Sequence, residues 1–251
     1  MKYYGVIEYI GTGYHGFQKQ EGLPTVQQCL EQAIKKVTGE EVMVEASGRT
    51  DAGVHALGQV VSFALANEKQ AYALMRSLNF FLPKDIQFLK LQKIDDAFHA
   101  RFSAKRKTYM YVFYVSKTAR PFLENRALQI PKEINIQAMQ QACACLVGTK
   151  DWGAFVAQNS GKTDFVRTIY EAHIENLAEN MYAFVVTGNG FLYNMVRILM
   201  GTLLQVGKGK LTVQDLENII KQKKRTLAGE TVPPYGLYLK NVVYESLDEK
   251  A

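Results

Sequence analysis

One acid and one permanent cation stand two residues apart in the run Ala46-Ser47-Gly48-Arg49-Thr50-Asp51-Ala52-Gly53-Val54-His55-Ala56. Asp51 is the candidate nucleophile. A guanidinium nearby favours the ionised carboxylate and lowers its pKa by about 1–3 pH units, and a nucleophile must be deprotonated and held still. Residues 42–46 read as a short strand and residues 59–64 as another, which puts the acid at a strand end. Gly48, Gly53 and Gly58 permit backbone angles that other residues avoid and let another molecule approach the main chain. An isolated Arg-Thr-Asp would as readily staple a turn.

Two further positions carry chemical interest. Arg197 falls in Gly190-Phe191-Leu192-Tyr193-Asn194-Met195-Val196-Arg197, at the start of a helix whose remaining positions are nearly all apolar. A buried arginine is costly unless paired, so a carboxylate partner inside the fold is expected. Tyr109 stands beside Tyr111, Phe113 and Tyr114, directly after the cluster Lys105-Arg106-Lys107. Basic groups interleaved with aromatics suit phosphates and unstacked bases.

The elements that must position these residues read as one pattern written twice. Residues 2–10 form a strand, 25–38 a helix, 42–47 and 57–66 strands, 70–81 a helix and 86–94 a strand, the order βαββαβ. The first helix is the plainest: Val26, Cys29, Leu30, Ala33, Ile34 and Val37 share a face, Pro24-Thr25 opens it and Gly39 closes it. The second half repeats the order with strand 106–116, helix 134–147, strands 165–176 and 181–188, helix 192–206, an extra helix at 212–224 and strand 236–244. The expected fold is α+β: two ferredoxin-like units forming a mixed, mainly antiparallel sheet flanked by helices, with a cleft between them. Residues 1–104 are expected to form an N-terminal domain carrying the aspartate, and residues 105–251 a basic C-terminal domain that binds RNA.

Charge supports that division. Residues 1–103 carry 11 Lys/Arg against 11 Asp/Glu, while residues 104–251 carry 19 against 13, so the whole excess of +6 lies in the second half. The asymmetry points to a polyanion, with Lys105-Arg106-Lys107 and Lys221-Gln222-Lys223-Lys224-Arg225 as the densest clusters. No stretch approaches ~18 consecutive apolar residues, and no signal peptide opens the chain, so a cytosolic protein away from membranes is expected. Three cysteines, Cys29, Cys143 and Cys145, are an odd count within helical patterns and argue against disulfides and a zinc cage.

Two apparent nucleotide motifs fail in context. Gly11-Thr12-Gly13-Tyr14-His15-Gly16 is a literal GxGxxG after a strand, but Pro24 delays the helix and Glu31 lies inside it rather than at the end of a second strand. A loop near substrate is the better reading. Gly161-Lys162-Thr163 suggests a P-loop, yet Val156 stands where the upstream glycine is required. His15, His55, His99 and His173 show no metal-ligand spacing. Only His55, inside the aspartate motif, is retained as a neighbour of the site.

GRTDAGVHA followed by GQVVSF resembles the signature of the TruA family of tRNA pseudouridine synthases. YIGTGYHGFQKQ resembles the family's first motif, which commonly has tryptophan where Phe17 stands. FHARFSA leading into Tyr109-Met110-Tyr111, and Pro233-Pro234-Tyr235-Gly236-Leu237-Tyr238-Leu239, resemble later motifs. Asp151-Trp152-Gly153-Ala154-Phe155 and Arg167-Thr168-Ile169 match more loosely, and the likeness runs from about Tyr3 to Tyr244.

The resemblance implies that Asp51 is the catalytic nucleophile, that Tyr109 stacks on the target base and takes part in proton removal, that Arg197 pairs with the aspartate, and that Leu237 lines the base pocket. Arg49 would fill or brace the space left by a flipped base. It further implies a homodimer and tRNA as partner, with uridines of the anticodon stem-loop as targets. The reaction is an isomerisation and requires no metal, redox group or nucleotide cofactor. One alternative within the same chemistry is a paralogue acting on ribosomal RNA or another stem-loop; the alternative from another class is a non-catalytic RNA-binding or RNA-folding protein of βαββαβ modules, which would bind through a sheet aromatic face and require no buried acid.

Overall fold

The computed structural model describes residues 1–157 and 163–245. Its contacts divide the chain into two compact units, one comprising Met1–Lys105 with the C-terminal segment that begins at Tyr238, the other Arg106–Leu237.

The first unit follows the order β1 (Lys2–Tyr9), α1 (Val26–Thr38), β2 (Glu45–Ala46), β3 (His55–Ala64), α2 (Ala71–Phe81) and β4 (Ile86–Ile94). Strand β1 is central, antiparallel to β3 on one side (Tyr4 opposite Ser62) and to β4 on the other (Tyr4 opposite Gln92). Helix α1 forms where its apolar face predicts: the Thr25 side chain accepts from Gln28 N–H, Gly39 ends it at φ 78°, and Val26, Leu30, Ala33 and Ile34 are buried. Helix α2 packs on β4 and α1.

The outer edge of β3 is shared. Glu45 and Ala46 of β2 pair antiparallel with Ser62 and Val61, and β10 (Leu237–Val243) pairs parallel, Tyr238 opposite His55 and Leu239 opposite Ala56. Strand β2 is shorter than the expected 42–47 because Val44 N–H turns to the Glu31 carboxylate of α1 (3.2 Å). Strand β3 begins two residues earlier than expected because β10 supplies partners for His55 and Ala56.

The last strand was expected in the second unit, and the contacts assign it from Tyr238 onward to the first. The reason is packing. Leu239 and Tyr244 are buried, Tyr244 joins a core cluster with Tyr4, Val60, Phe98 and Ala100, and its hydroxyl donates to the Ala100 carbonyl (2.5 Å). Each such buried side chain contributes about 1.5–3 kcal/mol, more than the net gain of a ladder hydrogen bond at about 1 kcal/mol.

The second unit contains β5 (Arg106–Val115), β6 (Leu128–Ile130), α3 (Ile136–Ala144), β7 (Gly148–Asp151), β8 (Val166–Ala178), β9 (Met181–Gly188), α4 (Met195–Gly207) and α5 (Val213–Gln222). Strands run β5-β9-β8-β7 with antiparallel neighbours, and β6 adds parallel to β5. Helix α3 packs on α4, α5 and β8. The sequence pattern did not show β6 and β7, whose three or four residues are too few for an alternation to register. Helix α4 starts at Met195 rather than 192 because Asn194 adopts φ 61° and Met195 N–H closes a turn onto the Leu192 carbonyl. The fold is α+β, and each unit carries a mixed, mainly antiparallel sheet with helices packed on it.

Among the described residues no helix is long and apolar enough to cross a membrane, and no group of three or more His, Cys, Asp or Glu side chains is placed to hold a metal ion. Gly161 and Lys162 of the rejected P-loop candidate lie outside the described residues.

Candidate active site

Asp51 sits in the connection from β2 to β3, and the backbone on both sides of it is fixed by buried bonds. Ser47 N–H donates to the Val60 carbonyl (2.8 Å), its hydroxyl donates to Gln59 Oε1 (2.5 Å), and Gln59 Nε2 donates to the Gly48 carbonyl (2.8 Å). Thr50 shares a hydrogen bond with the Tyr9 hydroxyl (2.7 Å), and its carbonyl accepts from Phe17 N–H (3.1 Å). Val54 N–H donates to the Asp51 carbonyl (3.1 Å), closing a tight turn in which Gly53 takes φ 78°. Asp51 is half-buried and Arg49 is exposed.

The rejected GxGxxG run turns out to be the other wall of this turn. A Cβ on Gly11 would fall 1.9 Å from the Val54 carbonyl, and one on Gly16, at φ 91°, would fall 2.7 Å from the Thr50 carbonyl and 3.3 Å from Ala52 N. Gly53 N–H donates to the Tyr14 carbonyl (3.3 Å), while the Tyr14 hydroxyl is anchored on Asp85 (2.7 Å). Burial and the Asp85 carboxylate both push the Tyr14 hydroxyl far above its usual pKa, so it remains a donor. Burial likewise raises Tyr9 to about 12.

His55 is 1 % exposed, and its Nδ1 accepts from Gly11 N–H (3.0 Å) while its ring stacks on Tyr238 of β10 at 4.6 Å. It therefore ties the glycine-rich turn to the first residue of β3. Phe17 packs against Tyr9 with ring centroids 6.4 Å apart, a role that requires no ring donor. The motif analysis kept His55 near the site and read the glycine run as a loop near substrate, but it did not show that Gly11, Gly16 and His55 hold the Asp51 turn through contacts with its backbone and with each other. Their signal was present in the glycine spacing, and only its partner was unknown.

In the second unit, Tyr109 lies on β5 opposite Val186, and its ring meets the edge of Phe191 at 5.2 Å. It is 9 % exposed, so the ring is presented inside the fold and not on an open sheet face. Arg197 is half-buried on α4, a helix with eleven buried residues. Its Nε donates to the Val232 carbonyl (2.8 Å) and an Nη donates to Asn194 Oδ1 (2.7 Å). Leu237 opens β10 and is buried, directly after a 3-10 turn at Pro234–Gly236 that Tyr111 secures by donating to the Pro233 carbonyl (2.8 Å).

Arg49, Asp51 and His55 lie in the first unit, and Tyr109, Arg197 and Leu237 in the second. Two cations of the second basic cluster are held within the fold. Arg225 donates to the Gly229 carbonyl (2.9 Å) and to Thr231 Oγ1 (3.2 Å), and Lys223 pairs with Asp151 (2.8 Å). Lys221 and Lys224 are exposed, as are Lys105 and Arg106, the latter over the Tyr170 ring at 4.7 Å. Residues 106–237 hold 16 Lys/Arg against 10 Asp/Glu, which accounts for the entire net charge of +6.

Comparison with known proteins agrees with these motifs. The tRNA pseudouridine synthase family model matches residues 6–103 and 142–245. The chain is 46% identical over 239 residues to tRNA pseudouridine synthase A of Thermoanaerobacter sp. (strain X514), covering 95% of this chain and 98% of that protein. It is 44% identical to the protein of the same name from Caldicellulosiruptor bescii, over 95% of this chain and 97% of that one. With that of Streptococcus agalactiae serotype III the identity is 38%, over 97% and 95%. A carboxylate in a rigid turn, a basic second unit and this near full-length similarity converge: the chain belongs to the TruA family of tRNA pseudouridine synthases, which isomerise tRNA uridine to pseudouridine.

Proposed function

We propose that the isomerisation falls on uridines of the anticodon stem-loop of tRNA, with Asp51 as the nucleophile. The observation that carries the assignment is the turn itself: its backbone is bonded at Thr50, Asp51 and Gly53, yet Asp51 is only half-buried. Immobilised main chain with an accessible carboxylate is what attack on a nucleotide demands.

The reaction breaks the bond between uracil N1 and ribose C1′, turns the base, and joins C1′ to C5. A proton leaves C5 and one is gained at N1, so atoms and electrons balance without an oxidant or a second substrate. The carboxylate adds either to C1′ or to the pyrimidine ring, and either adduct returns the aspartate unchanged. One carboxylate suffices, whereas a glycosidase would ordinarily need a second as proton donor.

A uridine in a stem must be unstacked and turned out to be reached. In this reading Arg49, exposed beside Asp51, braces the vacated space, Tyr109 stacks on the turned base, Leu237 lines its pocket, and the Arg197 guanidinium supports the Asp51 charge. Val232 and Asn194 fix the attitude of that guanidinium. The positive excess of the second unit supplies phosphate contacts, which position the RNA without reading its sequence. The resemblance also supports a cytosolic homodimer.

The test is Asp51→Asn. Purified wild-type and variant proteins are incubated with unmodified tRNA and with ribosomal RNA, and pseudouridine is mapped by carbodiimide labelling and primer extension. Wild-type-only stops in the anticodon arm, with tRNA binding retained by the variant, are expected. Near wild-type turnover in the variant removes Asp51 from its role, and stops elsewhere move the target.

A further inference from the structure

The turn after β4 presents a side-chain cluster that the chemistry above does not use. Phe98 and Ala100 point into the core of the first unit, where Ala100 N–H donates to Ser62 Oγ (3.3 Å) and the Ala100 carbonyl accepts from Tyr244. His99, Arg101 and Phe102 alternate with them toward solvent. Local bonds set their geometry: His99 N–H donates to Ser103 Oγ (3.1 Å), Ser103 N–H to the His99 carbonyl (3.0 Å), and Arg101 N–H to His99 Nδ1 (3.1 Å). His99 Nε2 lies 3.2 Å from the Glu45 carboxylate of β2. The Phe102 ring rests against the imidazole at 4.3 Å, the Arg101 guanidinium stands 5.6 Å from its centroid, and the residue is 74 % exposed.

We infer that Phe102 and Arg101 form a stacking platform for one unpaired nucleobase of the bound tRNA, distinct from the residues assigned to the target uridine. A large ring left this exposed gains nothing from burial in the monomer, while the histidine and arginine against it hold it in one attitude. Ordering costs are therefore paid before binding. A base laid on the ring gains about 1–3 kcal/mol, and the adjacent guanidinium is placed for the phosphate of the same nucleotide.

The charges nearby set the size of the occupant. Asp95 and Asp96 are exposed at the start of the same turn, and Lys105 is paired with Glu245 (3.3 Å). Arg101 is the cation over the ring and Lys105 is held by Glu245, so a single nucleotide fits better than a length of RNA backbone.

The inference takes tRNA as the substrate, and its test reads binding, so it stands or falls separately from which uridine is modified and from the role of Asp51. Filter binding of an unmodified tRNA transcript is measured for wild type, Phe102→Ala, Phe102→Trp and Arg101→Gln. Phe102→Ala is expected to weaken binding roughly 5- to 150-fold, the stacking energy of about 1–3 kcal/mol converted to affinity, with an unchanged thermal midpoint. Phe102→Trp should bind as wild type, and Arg101→Gln should lower the salt slope by about 0.7, the value for one phosphate of a single strand. Wild-type affinity in Phe102→Ala overturns the platform. So does an altered sedimentation coefficient in that variant with RNA affinity intact, which would make the ring a contact between protein chains.

Discussion

Gly16 is where a single methyl group tests whether the glycine-rich turn positions the nucleophile. In Gly16→Ala two costs are incurred. The first is conformational: φ is 91°, and an L-residue in the left-handed region loses about 1–2 kcal/mol. The second is steric, since the new Cβ would lie 2.7 Å from the Thr50 carbonyl and 3.3 Å from the Asp51 carbonyl carbon, both backbone atoms that cannot rotate away. Relief requires the Thr50–Asp51 peptide to retreat by a few tenths of an ångström, which also lengthens the Phe17 N–H bond to Thr50.

Gly22 supplies the control. It has φ 73°, but a Cβ there meets nothing within 4 Å. Gly22→Ala therefore carries the conformational cost alone, on the order of 2–8 °C of thermal midpoint, and should leave kcat untouched. A misplacement of 1 Å costs on the order of 100-fold, so a few tenths should lower kcat of Gly16→Ala roughly 4- to 10-fold. Single-turnover pseudouridine formation at saturating enzyme, with thermal melts of both variants, decides the matter. If Gly16→Ala turns over as fast as Gly22→Ala, the wall formed by the glycine-rich turn does not set the position of Asp51.

Two further outcomes concern the second unit. A Cβ on Gly201 would fall 2.0 Å from the Glu230 carbonyl, so Gly201→Ala must lift α4 from the 229–232 segment that bonds Thr202 and Arg197. We expect a loss of about 1–3 kcal/mol, seen as a lower urea midpoint, and an unchanged midpoint would refute the close crossing. The Asp151 carboxyl is held below its ordinary value of 3.8 chiefly by Lys223, and further by Gly153 N–H, so its contribution is complete above pH 3.8 and lost as pH falls through the depressed value. Lys223→Met should therefore be less stable at pH 7 by no more than about 1 kcal/mol, because the pair is partly solvated. The gap in thermal midpoint should close below pH 3.8, and a gap that widens with acid reverses the sign of the argument.

Of the site, the chemical identities were legible in the residues alone. Asp51 between two apolar runs and Arg197 in an apolar helix are local anomalies, visible because charge is out of place against a periodic background. The helices were legible for the same reason: α1 and α5 carry their caps and their buried faces within one stretch of chain. Strands β6 and β7 were not, since three or four residues acquire strand geometry only from the neighbour they pair with.

What the sequence by itself determined is therefore the local inventory: the βαββαβ order of the first unit, the motif around Asp51, the cation excess after residue 105, and the family to which these belong. Tertiary structure alone decided the partners. It turned the literal GxGxxG run into the wall of the Asp51 turn, because Gly11 and Gly16 are needed where two backbones meet too closely for a Cβ. It gave His55 a backbone amide and a tyrosine ring, set Arg225 and Lys223 to structural tasks, and drew the last strand from Tyr238 to the edge of β3. Apart from those of Arg225, these contacts join residues dozens of positions apart, and their strength depends on distance and burial, quantities that no local pattern encodes.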